Sequence, residues 1–393
     1  MSKLKLDDLD VAHRKVLVRV DFNVPLENGT VTDDTRIRAV LPTIEAITSR
    51  GGTAVLVSHL GRPKGGADPK YSLEPVARHL RSLTDRHVSF VPETVGAASR
   101  AAVKESGDGE VIVLENTRFN EGETTNDSKL ASELASLVDV FVNDAFGSSH
   151  RAHASTEGVA RQVKQAAMGY LLEKEIEYLS ALLGNPERPY VAVLGGAKVS
   201  DKIGVIESLL PRVDRLLIGG AMSYTFLKAQ GVTVGSSLVE DDKLDTARDL
   251  LEEADTKILL PVDHVAAAAF ENEAERMTAE REIPDGYIGL DIGPKTVDSY
   301  REVIKGARTV VWNGPMGVFE MPNFATGTMS VAKALAEATR AGALTVVGGG
   351  DSVAAITQGG LADEVSHVST GGGAMLEFLE GKTLPGVAVL TDV

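Results

Sequence analysis

Residues 16–23 read VLVRVDFN. The first five form an apolar, β-branched run, and the chain then breaks into Asp21-Phe22-Asn23 before a helical pattern begins. The same order recurs along the chain. Runs at 54–58 (AVLVS), Val88–Val91, Val111–Leu114 (VIVL) and Val140–Asn143 (VFVN) complete a first series. Runs at 191–194 (VAVL), Arg215–Ile218 (RLLI), 258–260, 309–312 (TVVW), 344–347 (LTVV) and 367–369 form a second. Near-continuous apolar strands bounded by helices predict parallel sheets covered on both faces. The β-then-α order predicts an α/β architecture. Two series in one chain predict two doubly wound domains, residues 1–170 and 171–379. At their junction, 169–183 reads GYLLEKEIEYLSALL, with apolar residues at 171, 172, 176, 179, 182 and 183. That spacing predicts a helix with one apolar face, stopped at Gly184-Asn185-Pro186. Such a helix is either a hinge arm between the domains or an ordinary surface helix.

Composition bounds the rest. The chain has 393 residues, 40 Lys+Arg against 56 Asp+Glu, and a formal net charge of −16. With 43% apolar and 24% charged residues it is ordinary globular material, which excludes a wholly disordered chain. It has no cysteine, which excludes disulfide scaffolds, thiolate catalysis and zinc sites built on Cys. No apolar run approaches the ~18 residues needed to span a bilayer. The start, MSKLKLDDLD, is too charged for a signal peptide, so a soluble cytoplasmic protein is expected. The acid excess is uneven: residues 1–170 carry 21 basic and 23 acidic side chains, residues 171–393 carry 19 and 33. This balance argues against nucleic-acid binding. It makes the first half the better host for an anion.

Ligands of open parallel sheets bind beyond the carboxyl ends of the strands. In the first half those ends are basic and polar. They read Asp21-Phe22-Asn23, His59-Leu60-Gly61-Arg62, Glu115-Asn116-Thr117-Arg118 and Asp144 through His150-Arg151, with Arg36 and Arg38 opening the helix after the first strand. An arginine fork suits phosphate and carboxylate. Each arginine alone would read as a solvated surface residue. Together, at equivalent topological positions, they point to an anion site.

In the second half the strand ends are glycine-rich: Gly195-Gly196, Gly219-Gly220, Asn313-Gly314-Pro315-Met316-Gly317, Gly348-Gly349-Gly350-Asp351 and Gly371-Gly372-Gly373. One such pair would be a tight turn. Five, each leading into a helical pattern, favour a phosphate or nucleotide cradle. Lys198 and Lys202, spaced i, i+4, are expected on one helical face beside it. Asp351 is placed either to meet Mg²⁺ beside phosphates or to cap a helix. Glu320 could take ribose hydroxyls or be a surface acid. The P-loop, GxGxxG, HRD, DFG, HExxH and GxSxG signatures are absent, so a P-loop ATPase, a protein kinase and a Rossmann dehydrogenase do not fit. The histidines show no metal-ligand spacing, and Trp312 is expected to pack at a strand end.

The strings VRVDFNVP (18–25), SHLGRPKG (58–65), LENTRF (114–119), NDAFGSSHRAHAST (143–156), LGGAKVSDKI (194–203), GLDIGP (289–294), WNGPMGVFE (312–320), GGGDS (348–352) and STGGGA (369–374) resemble the phosphoglycerate kinase family. The resemblance runs from about residue 6 to the C-terminus. It implies two Rossmann-like domains joined by a helical hinge, the first binding 3-phosphoglycerate and the second ATP or ADP with Mg²⁺. It implies hinge-bending, a monomer in the cytoplasm, and no nucleic-acid or membrane partner. A C-terminal tail, 380–393, would pack back on the first domain and cover the apolar stretch 384–390. Motif by motif, Asp21 and Asn23 would meet the glycerate hydroxyl and carboxyl end, with Phe22, Leu60 and Gly61 lining the same substrate site. His59, Arg62, Arg118 and Arg151 would meet the 3-phosphate, and Arg36 the reacting carboxyl. Lys198 would follow the transferring phosphoryl group, and Gly371, Gly372 and Gly373 would join Arg36 and Lys198 in catalysis. Lys202, Gly349, Gly350, Asp351 and Ser352 would hold nucleotide phosphates, with Asp351 carrying the metal, and Asn313 would bind the nucleotide. Gly219 and Gly220 would line the adenine pocket, and Gly289 and Glu320 would contact the nucleoside. Ser223-Tyr224 stands where the family varies, which leaves the adenine contact open.

The reaction so implied is a phosphoryl transfer to or from a carboxyl group. A carboxylate nucleophile, with an ordinary pKa near ~3.5, is already ionised at pH 7 and needs no general base. Catalysis then reduces to positioning and charge neutralisation, once closure has brought the two ligands into line. A two-lobed binding protein without turnover is disfavoured by the pairing of an Arg set with a Lys/Gly set. A kinase for an acid lacking a distal phosphate would leave Arg62, Arg118 and Arg151 unpaired.

Overall fold

The computed structural model describes residues 2–64 and 66–393; Gly65, the end of the SHLGRPKG string, lies outside the described residues. Two compact units divide the chain. One holds the described residues up to Glu177 together with Thr383–Val393, and the other holds Tyr178–Lys382.

The first unit contains β1 (Lys15–Arg19), a small hairpin of β2 (Leu26–Glu27) and β3 (Thr30–Val31), β4 (Thr53–Val57), β5 (Val88–Val91), β6 (Val111–Leu114), β7 (Val140–Asn143) and β8 (Ala166–Met168). Six of these form one parallel sheet in the order β5-β6-β4-β1-β7-β8. Val16 pairs with Ala54 on one side and with Val140 on the other. Strands β4, β6 and β7 are buried at every residue, which is why they read as continuous apolar runs. The chain moves outward from β1 through β4 and then returns to β7 on the other side. This reversal places a crevice at the carboxyl ends of β1 and β7.

The second unit repeats the plan with β9 (Tyr190–Leu194), β10 (Arg215–Ile218) and β11 (Ile258–Leu259) on one side of the reversal. A three-stranded antiparallel sheet follows, ordered β13-β12-β14, from β12 (His264–Ala267), β13 (Arg276–Ala279) and β14 (Ile288–Ile292). Then come β15 (Thr309–Asn313), β16 (Leu344–Gly348) and β17 (His367–Val368). The parallel sheet is ordered β11-β10-β9-β15-β16-β17, so its crevice lies between the ends of β9 and β15. Fold class is therefore α/β with two doubly wound parallel sheets. Trp312 lies wholly buried in β15, its indole N–H donating to the Gly314 carbonyl at 2.8 Å.

The expected helix at the junction spans Tyr170–Leu183. Its buried residues are Leu172, Glu175, Leu179 and Leu182, a helical spacing in which a carboxylate takes one core position. Asp144, at the end of β7, receives the Leu172 N–H at 3.1 Å and so anchors the first turn of this helix. Its second oxygen is buried without a partner. Burial pushes the carboxyl up to about 7, against hydrogen bonds from Thr43 and the Leu172 and Leu171 amides. An acid whose folded pKa is raised binds more protons folded than unfolded between about pH 4 and pH 7, so its contribution to stability falls as pH rises through that window. The full difference is up to ~4 kcal/mol. Asp144→Asn keeps the acceptor and removes the charge. It is expected to flatten the loss of stability between about pH 4 and pH 7, measured as urea midpoints beside the parent; equal slopes would assign that window to other groups.

Thr383–Val393 is stitched into the first unit. Gly386 donates to the Ser149 carbonyl at 2.9 Å and accepts from the Asn143 amide at 2.8 Å. Leu4 and Thr391 bond at 2.8 Å, Lys3 pairs with Asp392 at 2.7 Å, and Leu384 and Leu390 are buried.

Candidate active site

In the first unit the loops after β1, β4 and β6 are tied together at the crevice. The Phe22 amide donates to Ser58 Oγ at 2.8 Å, and the Gly61 amide to Asn23 Oδ1 at 2.8 Å. Asn116 brackets Leu60, accepting from its amide at 3.2 Å and donating to its carbonyl at 2.8 Å. Phe22 and Leu60 turn their side chains into the core, so they shape the loops rather than offer polar groups. Arg36, in the first turn of the helix Thr35–Ser49, donates to Asp21 Oδ2 and to the Asn23 carbonyl, each at 3.2 Å. Arg38, the other arginine of that turn, faces away and pairs with its own turn through Asp34 at 2.9 Å.

Burial alone would raise the Asp21 pKa. The neighbouring Arg36 and Arg19, with the Asn23 amide bond, outweigh that and hold it below the usual carboxylate range. Burial pushes His59 down to about 3, with Arg19, Arg118 and Arg36 adding to the effect and Asp21 opposing it. His59 is thus neutral near pH 7. Arg19 donates to His59 Nδ1 at 3.1 Å. A guanidinium has no acceptor, so Nδ1 is unprotonated and the Nε2–H is the donor His59 can offer.

Arg118 donates to the Gly61 carbonyl at 2.6 Å, while its Nε is buried without a partner. Burial lowers its pKa and Arg62 adds like-charge repulsion, against the charges of Glu123 and Asp21. Arg62 and Arg151 are exposed, Arg151 acting on His153 together with Arg19 and Arg118. A half-buried guanidinium with an unused donor, beside the exposed Arg62 and Arg151, has the chemistry to take an anion.

Arg19 is the residue the sequence reading passed over. It is 1% exposed inside β1, donating to Ser155 Oγ at 2.9 Å as well as to His59. Glu123, also buried, balances it and accepts from Ser155 and Thr117. A lone arginine in the apolar run VLVRV was the available signal, since charge in a covered strand demands a partner.

In the second unit the glycines bring backbones together. A side chain on Gly195 or Gly314 would collide with the other's loop, and one on Gly219 with Met316. The Gly220 amide donates to the Met316 carbonyl at 2.9 Å, and Gly220 adopts φ +67°. Helix Gly350–Gln358 starts beside helix Gly372–Leu379, a Cβ on Gly372 reaching 3.2 Å from Gly349 Cα. Two helix N-termini side by side form an anion-binding concavity. Asn313 stands in it, with its Nδ2 buried and unpartnered. Its Oδ1 accepts from the Lys202 ammonium. Burial pulls Lys202 down to about 8, against the charges of Asp201 and Asp351. Ser352 Oγ accepts from the Gly314 amide and locks the loop after β15 onto the helix.

The expected helical face for Lys198 and Lys202 is not formed. Helix Ile203–Leu209 begins only at Ile203, because positive-φ Gly196 and the Lys202-to-Val199 turn hold residues 195–202 as a loop. Lys198 is exposed on that loop, and Lys202 points inward. Nor does every glycine run open a helix directly: the run at 313–317 continues as loop to Pro322. Asp351 lies in the first turn of its helix, exposed; the N-cap position is Gly349, so capping is not the role of its side chain. Gly371 donates to Ser369 Oγ at 3.3 Å, and Gly373 is exposed. Gly289 lies buried in β14, and the Val318-to-Leu290 bond at 2.8 Å brings exposed Glu320's loop alongside it.

Comparison with known proteins follows the same outline. A family model described as phosphoglycerate kinase matches residues 6–382. The chain is 56% identical over 397 residues to a phosphoglycerate kinase of Thermosipho africanus (strain TCF52B), covering 100% of this chain and 98% of that one. It is 56% identical over 404 residues to one of Lactobacillus acidophilus (strain ATCC 700396 / NCK56 / N2 / NCFM), covering 100% of both. The solved structure of phosphoglycerate kinase from Coxiella burnetii aligns with TM-score 0.89 at 42% identity, covering 98% of each chain. That from Pyrococcus horikoshii OT3 aligns with TM-score 0.85 at 36% identity, again over 98% of each.

Proposed function

Because this chain belongs to the phosphoglycerate kinase family, a family of phosphotransferases, we propose how its own residues divide the reaction. The reaction is reversible transfer of the acyl phosphate of 1,3-bisphosphoglycerate to ADP, giving 3-phosphoglycerate and ATP. The first unit takes the phosphoglycerate and the second the nucleotide. One observation carries the first half of this reading: Arg118 Nε is buried without a partner among Arg62, His59 and Arg19. A coupled assay with 3-phosphoglycerate and Mg-ATP tests the whole.

The 3-phosphate is held by Arg62, Arg118 and Arg151, with neutral His59 donating through Nε2. Asp21, ionised and oriented by Arg36, accepts from the glycerate hydroxyl. The attacking group in the direction of ATP use is a carboxylate, so no residue is asked to remove a proton. Arg36 neutralises charge at the reacting carboxyl. Across the second unit, Lys202, Asn313 Nδ2 and the amides opening the Gly350 and Gly372 helices hold nucleotide phosphates, with Lys198 following the moving phosphoryl group. Gly289 and Glu320 face the nucleoside. Among the described residues no group of three or more His, Asp or Glu could hold a metal by itself. Exposed Asp351 beside the phosphate cradle fits an ion held mainly by phosphate oxygens and water. Mg²⁺ bound there would neutralise phosphate charge. Transfer needs both ligands in line, so hinge-bending closure belongs to the proposal. No helix of the described residues is long and apolar enough to cross a membrane. A cytoplasmic location and a monomeric state are proposed on the family's reaction alone.

Arg118→Ala is expected to raise KM for 3-phosphoglycerate about 10–100-fold, the loss of one charge-assisted contact worth ~1.5–3 kcal/mol. Arg62→Ala should cost less, since Arg62 is exposed and screened. KM for ATP should stay put in both. If only the ATP value moved, the assignment of the two units would be reversed.

A further inference from the structure

Glu123 lies in the loop between the turn Thr117–Phe119 and the helix Ser128–Ala135, and it is wholly buried. Its Oε1 accepts from the Ser155 hydroxyl at 2.6 Å and from the Thr117 hydroxyl at 3.2 Å. Its Oε2 accepts the Ser155 N–H at 3.0 Å. The backbone carbonyl of the same residue accepts the Ala154 N–H at 2.9 Å. Glu123 therefore fastens the segment that carries Arg118 to the segment that follows Arg151.

A buried carboxylate is costly unless a positive charge offsets it. Among the described residues no lysine or arginine forms an ion pair with Glu123. His153 comes near, its Nδ1 standing 3.9 Å from Oε1. Burial, with Arg19, Arg118 and Arg151, holds the His153 pKa below its ordinary range against the pull of Glu123, so that ring is neutral near pH 7. The offsetting charge reaches Glu123 through a hydroxyl instead. Arg19 Nε donates to Ser155 Oγ at 2.9 Å, and that hydroxyl donates its own proton to Glu123. The other buried acid near Arg19, Asp21, is taken up by Arg36 at 3.2 Å. Glu123 is foremost among the charges that act on both Arg19 and Arg118.

We propose that Glu123 is a positioning residue of the phosphoglycerate site, the fixed counter-charge that, acting through Arg19 and Arg118, sets how tightly the distal phosphate is held. This rests on the reading of the first unit as the phosphoglycerate site. Two roles for the carboxylate predict opposite signs. A strut that only holds loops would, once cut, let Thr117 and Ser155 drift and so weaken phosphate binding. A counter-charge would, once removed, leave Arg19 unbalanced and Arg118 less offset, and so strengthen it. The bound dianion then does the balancing that the carboxylate did.

The test is Glu123→Gln, which keeps the shape and deletes the charge. The amide still fits its partners: its oxygen can accept the Ser155 N–H, and its NH₂ can donate to the two hydroxyls. The calorimetric Kd for 3-phosphoglycerate is expected to fall about three- to tenfold, the effect of one unit charge near the phosphate but out of contact with it. The Kd for ADP should not change. Without ligand the melting temperature should drop, because Arg19 stays buried with its charge unbalanced. Glu123→Asp keeps the charge while loosening the hydrogen bonds, and it should not tighten 3-phosphoglycerate. A weaker or unchanged Kd in Glu123→Gln overturns the inference, as does a tighter one in Glu123→Asp. If Glu123→Gln is unfolded without ligand, its melting temperature across a 3-phosphoglycerate series reads the same affinity. Failure to fold at any 3-phosphoglycerate concentration also overturns the inference, since a phosphate in the site should replace the lost charge. Arg118→Ala separates the two levels: if it weakens 3-phosphoglycerate while Glu123→Gln does not tighten it, only Glu123's role falls. If neither variant moves that Kd, the phosphoglycerate reading of the first unit falls with it.

Discussion

Replacing Arg36 with alanine is expected to lower kcat by about 10²–10³ while moving KM for 3-phosphoglycerate far less. The argument begins at the helix Thr35–Ser49, whose first turn aims Arg36 at the crevice while Arg38 turns to Asp34. The guanidinium is fixed by Asp21 and the Asn23 carbonyl, both through Nη1. Its other donors remain for a substrate carboxyl. On the proposed division of the site, the distal phosphate is anchored elsewhere, by Arg118 and its neighbours, so binding should survive. Charge at the reacting carboxyl changes during transfer, and a donor held in place there acts chiefly on the barrier. Arg36→Lys should recover only part of the rate, because an ammonium cannot reproduce the planar fork. Alanine would also strip Asp21 of one of the charges that keep it ionised. A pH–rate profile would expose that as a rising acid limb. Equal kcat in parent and Arg36→Ala would end this assignment.

Asp351→Ala should cost about 10²–10³ in Mg²⁺-dependent turnover, the scale of a few kcal/mol of charge stabilisation. Binding of 3-phosphoglycerate should stay nearly intact. The carboxylate sits in the first turn of a helix whose N-terminus favours anions, beside the amides proposed to hold phosphates. A carboxylate and a phosphate in one concavity repel, so net attraction calls for a cation between them. The alternative is that Asp351 merely serves the helix dipole, worth ~0.3–1 kcal/mol of stability. Titration calorimetry with Mg-ADP and with 3-phosphoglycerate separately distinguishes them. Unchanged Mg-ADP affinity and turnover, with a slightly lowered melting temperature, would leave only the dipole role.

Both parallel sheets were legible because their strands are covered on two faces, so burial wrote an unbroken apolar run into each. The sheet β13-β12-β14 was not. Ala266 and Ala267 carry no strand preference, Arg276 and Met277 are exposed, and β14 was visible only as part of a motif. Among site residues, the strand-end arginines were readable only as a set, since topology puts them all at the crevice while each alone reads as a surface residue. Which of Arg36 and Arg38 faces inward depends on the pitch of one helical turn. The loop at 195–202 was misread as helix because i, i+4 spacing says nothing about the backbone that carries it. Arg19 escaped because its importance lies in what it finds in three dimensions, a buried counter-charge.

The stitching of Thr383–Val393 into the first unit makes that unit discontinuous in the order of synthesis. Everything from Tyr178 to Lys382 is translated after β8 and before the segment that completes β8's edge. At ~5–20 residues per second those roughly 200 residues take ~10–40 s. For that interval on the ribosome the first unit exists with Asn143, Ser149 and Ala166 lacking the partners they later acquire, and with the seats of Leu384 and Leu390 open to solvent. The second unit, whose residues are contiguous, can finish folding while the first still waits for its final strap.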